Sequence, residues 1–251
     1  MTSIAFYTLG CRSNQYETNV MERDAANLGL EVVPYPAKAD IYVINTCTVT
    51  GLAARKSRNT IRRSRRLNPN AKVIFTGCDA GVETLAEADL VLPNNEKLKI
   101  SKVLTEMTRR RDDDSRSSSS LHLFTSPSPL IRENLMIETG CENYCSYCIV
   151  PYVRGKVRSR PMDEILADAD QMVANGVREI VLTGINIGEF PDLSSLISEL
   201  SSIEDLLRIR LSSIEPQYVT DELIQLISDN PKVCKHLHIP LQSGNDGILK
   251  A

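Results

Sequence analysis

No stretch of this chain approaches the roughly 20 consecutive apolar residues that a membrane-spanning helix needs, and its N-terminus lacks the charged-then-apolar order of an export signal. Both absences predict a cytoplasmic protein with no membrane partner. Seven cysteines, an odd count in a chain without export signals, then favour metal ligation over a disulfide framework. Net charge is also small: 29 Lys and Arg against 32 Asp and Glu leave −3. Such a chain does not attract nucleic acid globally, so an RNA-binding surface has to come from local clustering of Lys and Arg. Core-forming residues are not lacking. With 42% hydrophobic and 24% charged residues, the composition is that of an ordinary globular protein of one large or two smaller domains.

What is present is concentrated first in one loop. Gly140-Cys141-Glu-Asn-Tyr-Cys145-Ser-Tyr-Cys148 spaces three cysteines as C-x3-C-x2-C directly after the apolar run 135–137. Three thiolates this close can grip one metal centre. Iron–sulfur clusters usually take four cysteines and zinc four Cys or His ligands, so three without a nearby fourth suggest a cluster with one open iron that can bind a small molecule. Two plainer readings are a Cys3His zinc knot and a thioredoxin-like Cys145-x-x-Cys148 pair. Histidine is scarce, three in all, and the nearest candidate, His122, lies outside the loop. No strand-CxxC-helix pattern surrounds the pair either.

From the start of the chain, strand-like runs at 3–9, 41–45, 72–76 and 90–92 alternate with helical patterns at 14–28, 52–67 and, more briefly, 82–86. That alternation predicts a parallel sheet with helices on both faces. Cys11, Cys47 and Cys78 each fall just past a strand's C-terminal end, the edge of an open parallel sheet where ligands bind. Gly10 and Gly77 precede two of them and fit tight turns. The plainer reading is three small buried hydrophobes; their shared topological position favours a second three-cysteine metal site. The helix at 52–67 carries Arg55, Lys56, Arg58, Arg62, Arg63, Arg65 and Arg66 with no acid among them. A charge run is ordinarily a solvated face. Without i,i+4 acidic partners, this one reads better as a phosphate-contacting surface.

At 109–132 the pattern breaks into charge blocks, serines and prolines that cannot build a core, which predicts a linker between domains at 1–108 and 133–251. Beyond it, strands are expected at 134–138, 179–182, 207–211 and 236–241, with helices at 162–175, 193–201 and 219–228 between them. This repeat has the form of part of a β/α barrel, whose functional residues sit at the C-terminal ends of strands. Thr183-Gly184-Ile-Asn186, Ser212-Ser213-Ile-Glu215 and Gln242-Ser-Gly244 all occupy such positions. Helix capping and turn chemistry explain each of them nearly as well. Cys234 matches no ligand position and is expected in the core.

The loop spacing, with Tyr147 just before the third cysteine, resembles the signature of radical S-adenosylmethionine (SAM) enzymes. In that family the open iron chelates SAM, and reduction of the cluster cleaves it to a radical that abstracts hydrogen from inert C–H bonds. Taking both cysteine sets together, nearly the whole chain resembles the tRNA methylthiotransferases, radical SAM enzymes with a second cluster in an N-terminal domain. The resemblance is carried by Gly10-Cys11 with Asn14-Gln-Tyr-Glu-Thr18, Asn45-Thr-Cys47-Thr-Val-Thr, Thr76-Gly-Cys78, Cys145-Ser-Tyr-Cys-Ile-Val-Pro-Tyr-Val-Arg-Gly155 with Arg158-Ser-Arg160, and His236-Leu-His-Ile-Pro-Leu-Gln-Ser-Gly244. The first two segments, with Ala54-Arg-Lys-Ser-Arg58, look most like the branch acting on N6-threonylcarbamoyladenosine beside the anticodon, and less like those acting on isopentenyladenosine or a ribosomal protein.

The resemblance implies two 4Fe-4S clusters, one on Cys141, Cys145 and Cys148 that cleaves SAM, and an auxiliary one on Cys11, Cys47 and Cys78 that presents sulfur. It places Tyr147, Thr183, Gly184, Asn186, Ser213, Glu215 and Gln242 around SAM. It implies tRNA, a flavodoxin-like electron donor and a sulfur source as partners, and methylthiolation at C2 of the adenine as the reaction. The alternative from another class is a non-catalytic metal- and RNA-binding protein. Two departures stand out. Gly77-Cys-Asp-Ala-Gly81 lacks the family's usual glutamine, and only four barrel strands are countable where the family has six followed by an RNA-binding β-barrel. The sequence is therefore expected to be a fragment, a truncated product or a half completed by another chain, and inactive alone.

Overall fold

Alternation of apolar side chains along four short runs builds the first sheet. In the computed structural model, which describes residues 1–47, 51–81, 87–112 and 131–250, these runs are β1 (Ser3–Thr8), β3 (Ile41–Thr46), β4 (Lys72–Gly77) and β5 (Leu90–Val91), joined by β2 (Glu31–Pro34). All pair in parallel in the order β2-β1-β3-β4-β5. Three helices accompany them, α1 (Arg12–Asn27), α2 (Gly51–Leu67) and α3 (Ile100–Asp112). Ile4, Phe6, Ile41, Val43 and Ile74 point to one face, against Met21 and Ala25 of α1 and Ile100 and Leu104 of α3. The intervening Ile44, Val73 and Phe75 point to the other, against Ile61 of α2. Burial on both faces leaves no residue of β3 exposed, as expected for a central parallel strand.

Contact between chain segments divides the molecule into two units. The first is Met1–Ser126 with Tyr144–Gly155, and the second is Pro127–Asn143 with Lys156–Ala251. The late segment of the first unit ends in the short helix α4 (Val150–Arg154), which packs on the turn Cys78–Gly81.

In the second unit, β6 (Arg132–Met136), β9 (Glu179–Thr183) and β10 (Arg208–Leu211) form a parallel sheet in the order β10-β9-β6. A two-residue strand β7 (Glu138–Thr139) pairs antiparallel with β8 (Arg158–Ser159). The helices are α5 (Met162–Ala174), α6 (Leu193–Ser202), α7 (Asp221–Asp229) and the single turn α8 (Asp246–Leu249). Asp192 caps α6 by accepting the Ser195 N–H, and Thr220 caps α7 by accepting that of Leu223. Among the described residues no helix is long and apolar enough to cross a membrane.

Four expectations change. Strand β2 has no counterpart in the sequence pattern; it is a mostly exposed edge strand ending in Pro34, and edges are where a strand tolerates proline. Helix α3 runs to Asp112, so the first four residues of the expected linker continue a helix. The rest of that segment to residue 130, and the expected helix at 82–86, lie outside the described residues. The strand expected at 236–241 does not form. Two isolated parallel bridges form instead, from Ile209 of β10 to Val233 and from Ser213, two residues past β10, to His238; Pro240 brings no N–H to a ladder, and Leu241 is exposed. Finally, Cys234 is half-exposed rather than in the core, because it sits in that unladdered run.

Candidate functional site

Cys11 follows β1, Cys47 follows β3 and Cys78 follows β4, and these three strands are neighbours in the sheet. In this strand order the chain reverses direction across the sheet between β1 and β3, and ligands bind at the carboxyl edge there. Two glycines permit the approach. Gly10 has φ +102°, and a Cβ on it would lie 2.7 Å from Cys47 Cβ and 2.9 Å from its Sγ. Gly77 has φ +96°, and a Cβ there would meet the Thr46 backbone at 2.4 Å. Neither position admits another residue without displacing a cysteine-bearing strand end.

Polar side chains fix these ends. Asn14 Nδ2 donates to the carbonyls of Leu9 (2.7 Å) and Thr46 (2.8 Å), while Asn45 Nδ2 donates to Asn14 O and Thr18 Oγ1. Thr46 Oγ1 donates to Thr76 O at 2.6 Å, and Thr76 Oγ1 to Leu92 O at 2.8 Å. The Asn-Gln-Tyr-Glu-Thr and Asn-Thr-Cys segments are thus a lacing of the sheet's carboxyl edge. Cys47 and Cys78 are buried and Cys11 is exposed. Burial pushes the Cys78 thiol up, Arg154 and Lys97 oppose that, and Cys11 and Cys47 add to it, so the three thiols share one electrostatic environment. Among the described residues no group of three His, Cys, Asp or Glu is arranged as it stands to hold a metal ion. Three cysteines past the ends of neighbouring strands are nonetheless the donor set that a four-iron cluster with one open iron takes.

Beside these thiols lies a buried ionic group that sequence reasoning missed. Arg154 Nη1 and Nη2 donate to the two oxygens of Glu17, each at 3.1 Å, and Nη2 also donates to Asn14 Oδ1 at 2.6 Å. Lys97 forms an ion pair with Glu17 Oε2. Asn14 and Glu17 stand three residues apart on one face of α1, a spacing that could have flagged them. Desolvation opposes charge on Arg154, but Glu17, Cys78 and Cys11 more than offset it and hold the guanidinium charged. Burial also draws Lys97 down, with Glu17 opposing.

In the C-x3-C-x2-C loop, the Cys148 N–H closes a turn on Cys145 O at 2.9 Å, and Gly140 and Tyr144 adopt positive φ. Cys141 is buried and belongs to the second unit; Cys145 and Cys148 are half-buried and belong to the first. Tyr147 is exposed.

At the carboxyl end of β9, the fully buried Glu138 accepts the backbone N–H of Asn186 through Oε1 at 2.7 Å. The Asn186 side chain is 3% exposed, yet neither its nitrogen nor its oxygen has a partner among the described residues; Ser212 Oγ, at the end of β10, is in the same condition. A buried amide with donor and acceptor both uncommitted suits a zwitterionic amino-acid group. SAM has such a group, so this end of the sheet fits it. Thr183 is buried at the strand end. Ser213 is instead hydrogen-bonded to His238 Nδ1 at 2.7 Å, and Glu215 accepts from Asn143 and Gln217. Gln242 is exposed with φ +62° in the unladdered run.

On α2 the acids missing from the helix arrive from further along the chain. Arg62 pairs with Glu87 at 3.0 Å, Arg65 with Asp89 at 2.6 Å, and Arg63 lies 5.6 Å over the Tyr35 ring. Sequence spacing within one helix could not reveal them. Arg55, Lys56 and Arg66 are exposed and Arg58 half-buried; Arg62, Arg65 and Arg66 line a shallow groove with Glu87.

Residues 3–94 match the family described as uncharacterized protein family UPF0004, and residues 136–251 the radical SAM superfamily. The chain is 36% identical to the threonylcarbamoyladenosine tRNA methylthiotransferase MtaB of Bacillus subtilis, over 100% of this chain and 60% of that protein. Identity to MtaB of Aquifex aeolicus is also 36%, over 98% of this chain and 64% of the relative. A tRNA-2-methylthio-N(6)-dimethylallyladenosine synthase of Thermodesulfovibrio yellowstonii is 31% identical over 97% and 60%. The chain thus spans about three fifths of the length of these relatives. Among solved structures, the radical SAM methyltransferase TsrM of Kitasatospora setae superposes with a TM-score of 0.65 at 14% identity, covering 99% of this chain and 61% of that one, a likeness of fold. Two three-cysteine sets on this fold, with similarity running through the whole chain, place it by descent: the chain belongs to the radical SAM methylthiotransferase family, with a UPF0004 segment ahead of its radical SAM domain.

Proposed function

We propose that this chain is the cluster-bearing part of a cytoplasmic tRNA methylthiotransferase that places a methylthio group on C2 of N6-threonylcarbamoyladenosine beside the anticodon. The observation that carries it is end-to-end similarity of this chain to proteins named for that activity. The position of Cys11, Cys47 and Cys78 past the laced ends of three neighbouring strands supports it independently. Cys141, Cys145 and Cys148 would hold one 4Fe-4S cluster, which would supply the electron for cleavage of SAM. Asn186, with both amide groups uncommitted, receives the amino-acid end of SAM, and Glu138 fixes the backbone that carries it. Cys11, Cys47 and Cys78, past the strand ends at the carboxyl edge of the sheet, would hold a second cluster. The exposed Arg55, Lys56 and Arg66 give tRNA phosphates a contact surface; a reductant and a sulfur donor complete the partners. A second reading, dimethylallyladenosine as the substrate, has the 31% identical relative in its favour.

Anaerobic reconstitution with iron and sulfide is expected to load about eight irons per chain, falling to about four in Cys47→Ala and in Cys145→Ala. Cys145→Ala should lose SAM cleavage while Cys47→Ala keeps it. A colourless zinc protein would sink the reading. Nucleoside mass spectrometry on tRNA from cells with and without the gene decides the branch, through which methylthio nucleoside disappears.

A further inference from the structure

Glu17 is one carboxylate facing two buried cations. Lys97 is 1% exposed, and Arg154 and Glu17 are each 4% exposed. The paired hydrogen bonds from Arg154 to both Glu17 oxygens already balance that carboxylate. Lys97, on the same Oε2, adds a positive charge at a depth where an uncompensated ion is strongly disfavoured. Among the described residues it pairs with no other carboxylate. Cys78, in the turn on which α4 packs, is a further ionisable neighbour of both Lys97 and Arg154, and Cys11 of Arg154. Arg154 is held in place beside the strand ends, since Asn14 accepts from it while lacing the ends of β1 and β3.

We propose that Lys97 and Arg154 are the built-in counter-charge for an anionic metal–thiolate group on Cys11, Cys47 and Cys78, with Glu17 and Asn14 as the residues that position Arg154. Three thiolates contribute more negative charge than the core of a four-iron cluster offsets, and a buried cation beside them both retains the group and favours its reduction. Lys97 does not touch substrate; it acts through the field it sets. Glu17 prevents the two cations from repelling each other in the metal-free chain. This inference rests on the reading of the three cysteines as cluster ligands.

The test uses the chain carrying Cys145→Ala and Cys148→Ala, so that only the auxiliary site loads, with and without Lys97→Met or Lys97→Arg. Lys97→Met is expected to lose iron to a chelator about tenfold faster or more, the loss typical when a group supporting a metal ligand is removed. Its midpoint potential is expected to move to more negative values, and Lys97→Arg to restore both. Metal-free Lys97→Met should unfold at the same denaturant concentration as its parent or a higher one, because the balanced Glu17–Arg154 pair remains. If metal-free Lys97→Met is instead destabilised while chelator loss and potential match the parent, Lys97 is a structural partner of Glu17 and the proposal falls. If the parent itself takes up no iron, the proposal falls together with the reading beneath it.

Discussion

The carboxylate of Glu138 and the backbone N–H of Asn186 meet at 2.7 Å across a gap that only glycine leaves open, since a Cβ on Gly184 would lie 2.0 Å from Glu138 Oε1. Gly184→Ala is therefore expected to destabilise the second unit by about 1–3 kcal/mol through overpacking. Glu138→Ala, which strands a buried N–H, should cost about as much, and Glu138→Gln, which keeps an acceptor, less. Urea unfolding checks this; a Gly184→Ala midpoint indistinguishable from the parent's would refute it.

Tyr218 donates to Glu189 at 2.8 Å. That hydrogen bond, then burial and the charges of Glu189, Glu215 and Cys141, push the phenol from 10 to about 12. A raised pKa means the folded state holds the proton more tightly, so the stabilisation is complete below pH 10 and is lost as pH rises toward about 12. Parent and Tyr218→Phe should differ in stability at neutral pH and converge over that alkaline window. A constant difference across it would count against the hydrogen bond.

Asp89 shows the opposite sign. Burial raises its pKa, but the Val73 N–H, Arg65 and Lys72 outweigh that and hold the carboxyl below its ordinary 3.8. Its contribution is present above pH 3.8 and lost as pH falls through the depressed value. Asp89→Asn should therefore be less stable than the parent at neutral pH, and the gap should close in strong acid, read by thermal melts at stepped pH.

The two classes of basic residue on α2 should separate experimentally. Replacing Arg55, Lys56 and Arg66 by Gln is expected to weaken tRNA binding and to lower the salt slope by roughly one for each phosphate no longer neutralised, with unchanged stability. Arg65→Gln removes the partner of Asp89 and should lower stability as well. Equal effects of both on binding, with no difference in melting, would remove the distinction.

The sequence made legible what local pattern controls. Apolar alternation located β1, β3 and β4 to within a residue or two, and the position of Cys11, Cys47 and Cys78 just past those strands followed. Pairings between distant segments stayed hidden. Glu87 and Asp89 reach α2 from beyond its end, and Lys97 and Arg154 reach Glu17 from 80 and 137 residues away; no periodicity encodes such meetings. The run at 236–241 misled because alternating apolar residues look like a strand whether or not a proline interrupts the ladder.

The 137-residue separation between Glu17 and Arg154 also bears on how the chain is made. The first unit is discontinuous in sequence, and a ribosome delivers its sheet, Glu17 and Lys97 long before α4 emerges. Until then Glu17 and Lys97 can pair with each other alone, one charge against one, and the turn Cys78–Gly81 lacks the helix that packs on it. Closing so long a loop is slow and comes late. The nascent sheet therefore spends its first moments with balanced charge and an uncovered thiol edge, and the surplus cation arrives only with the segment that also carries Cys145 and Cys148.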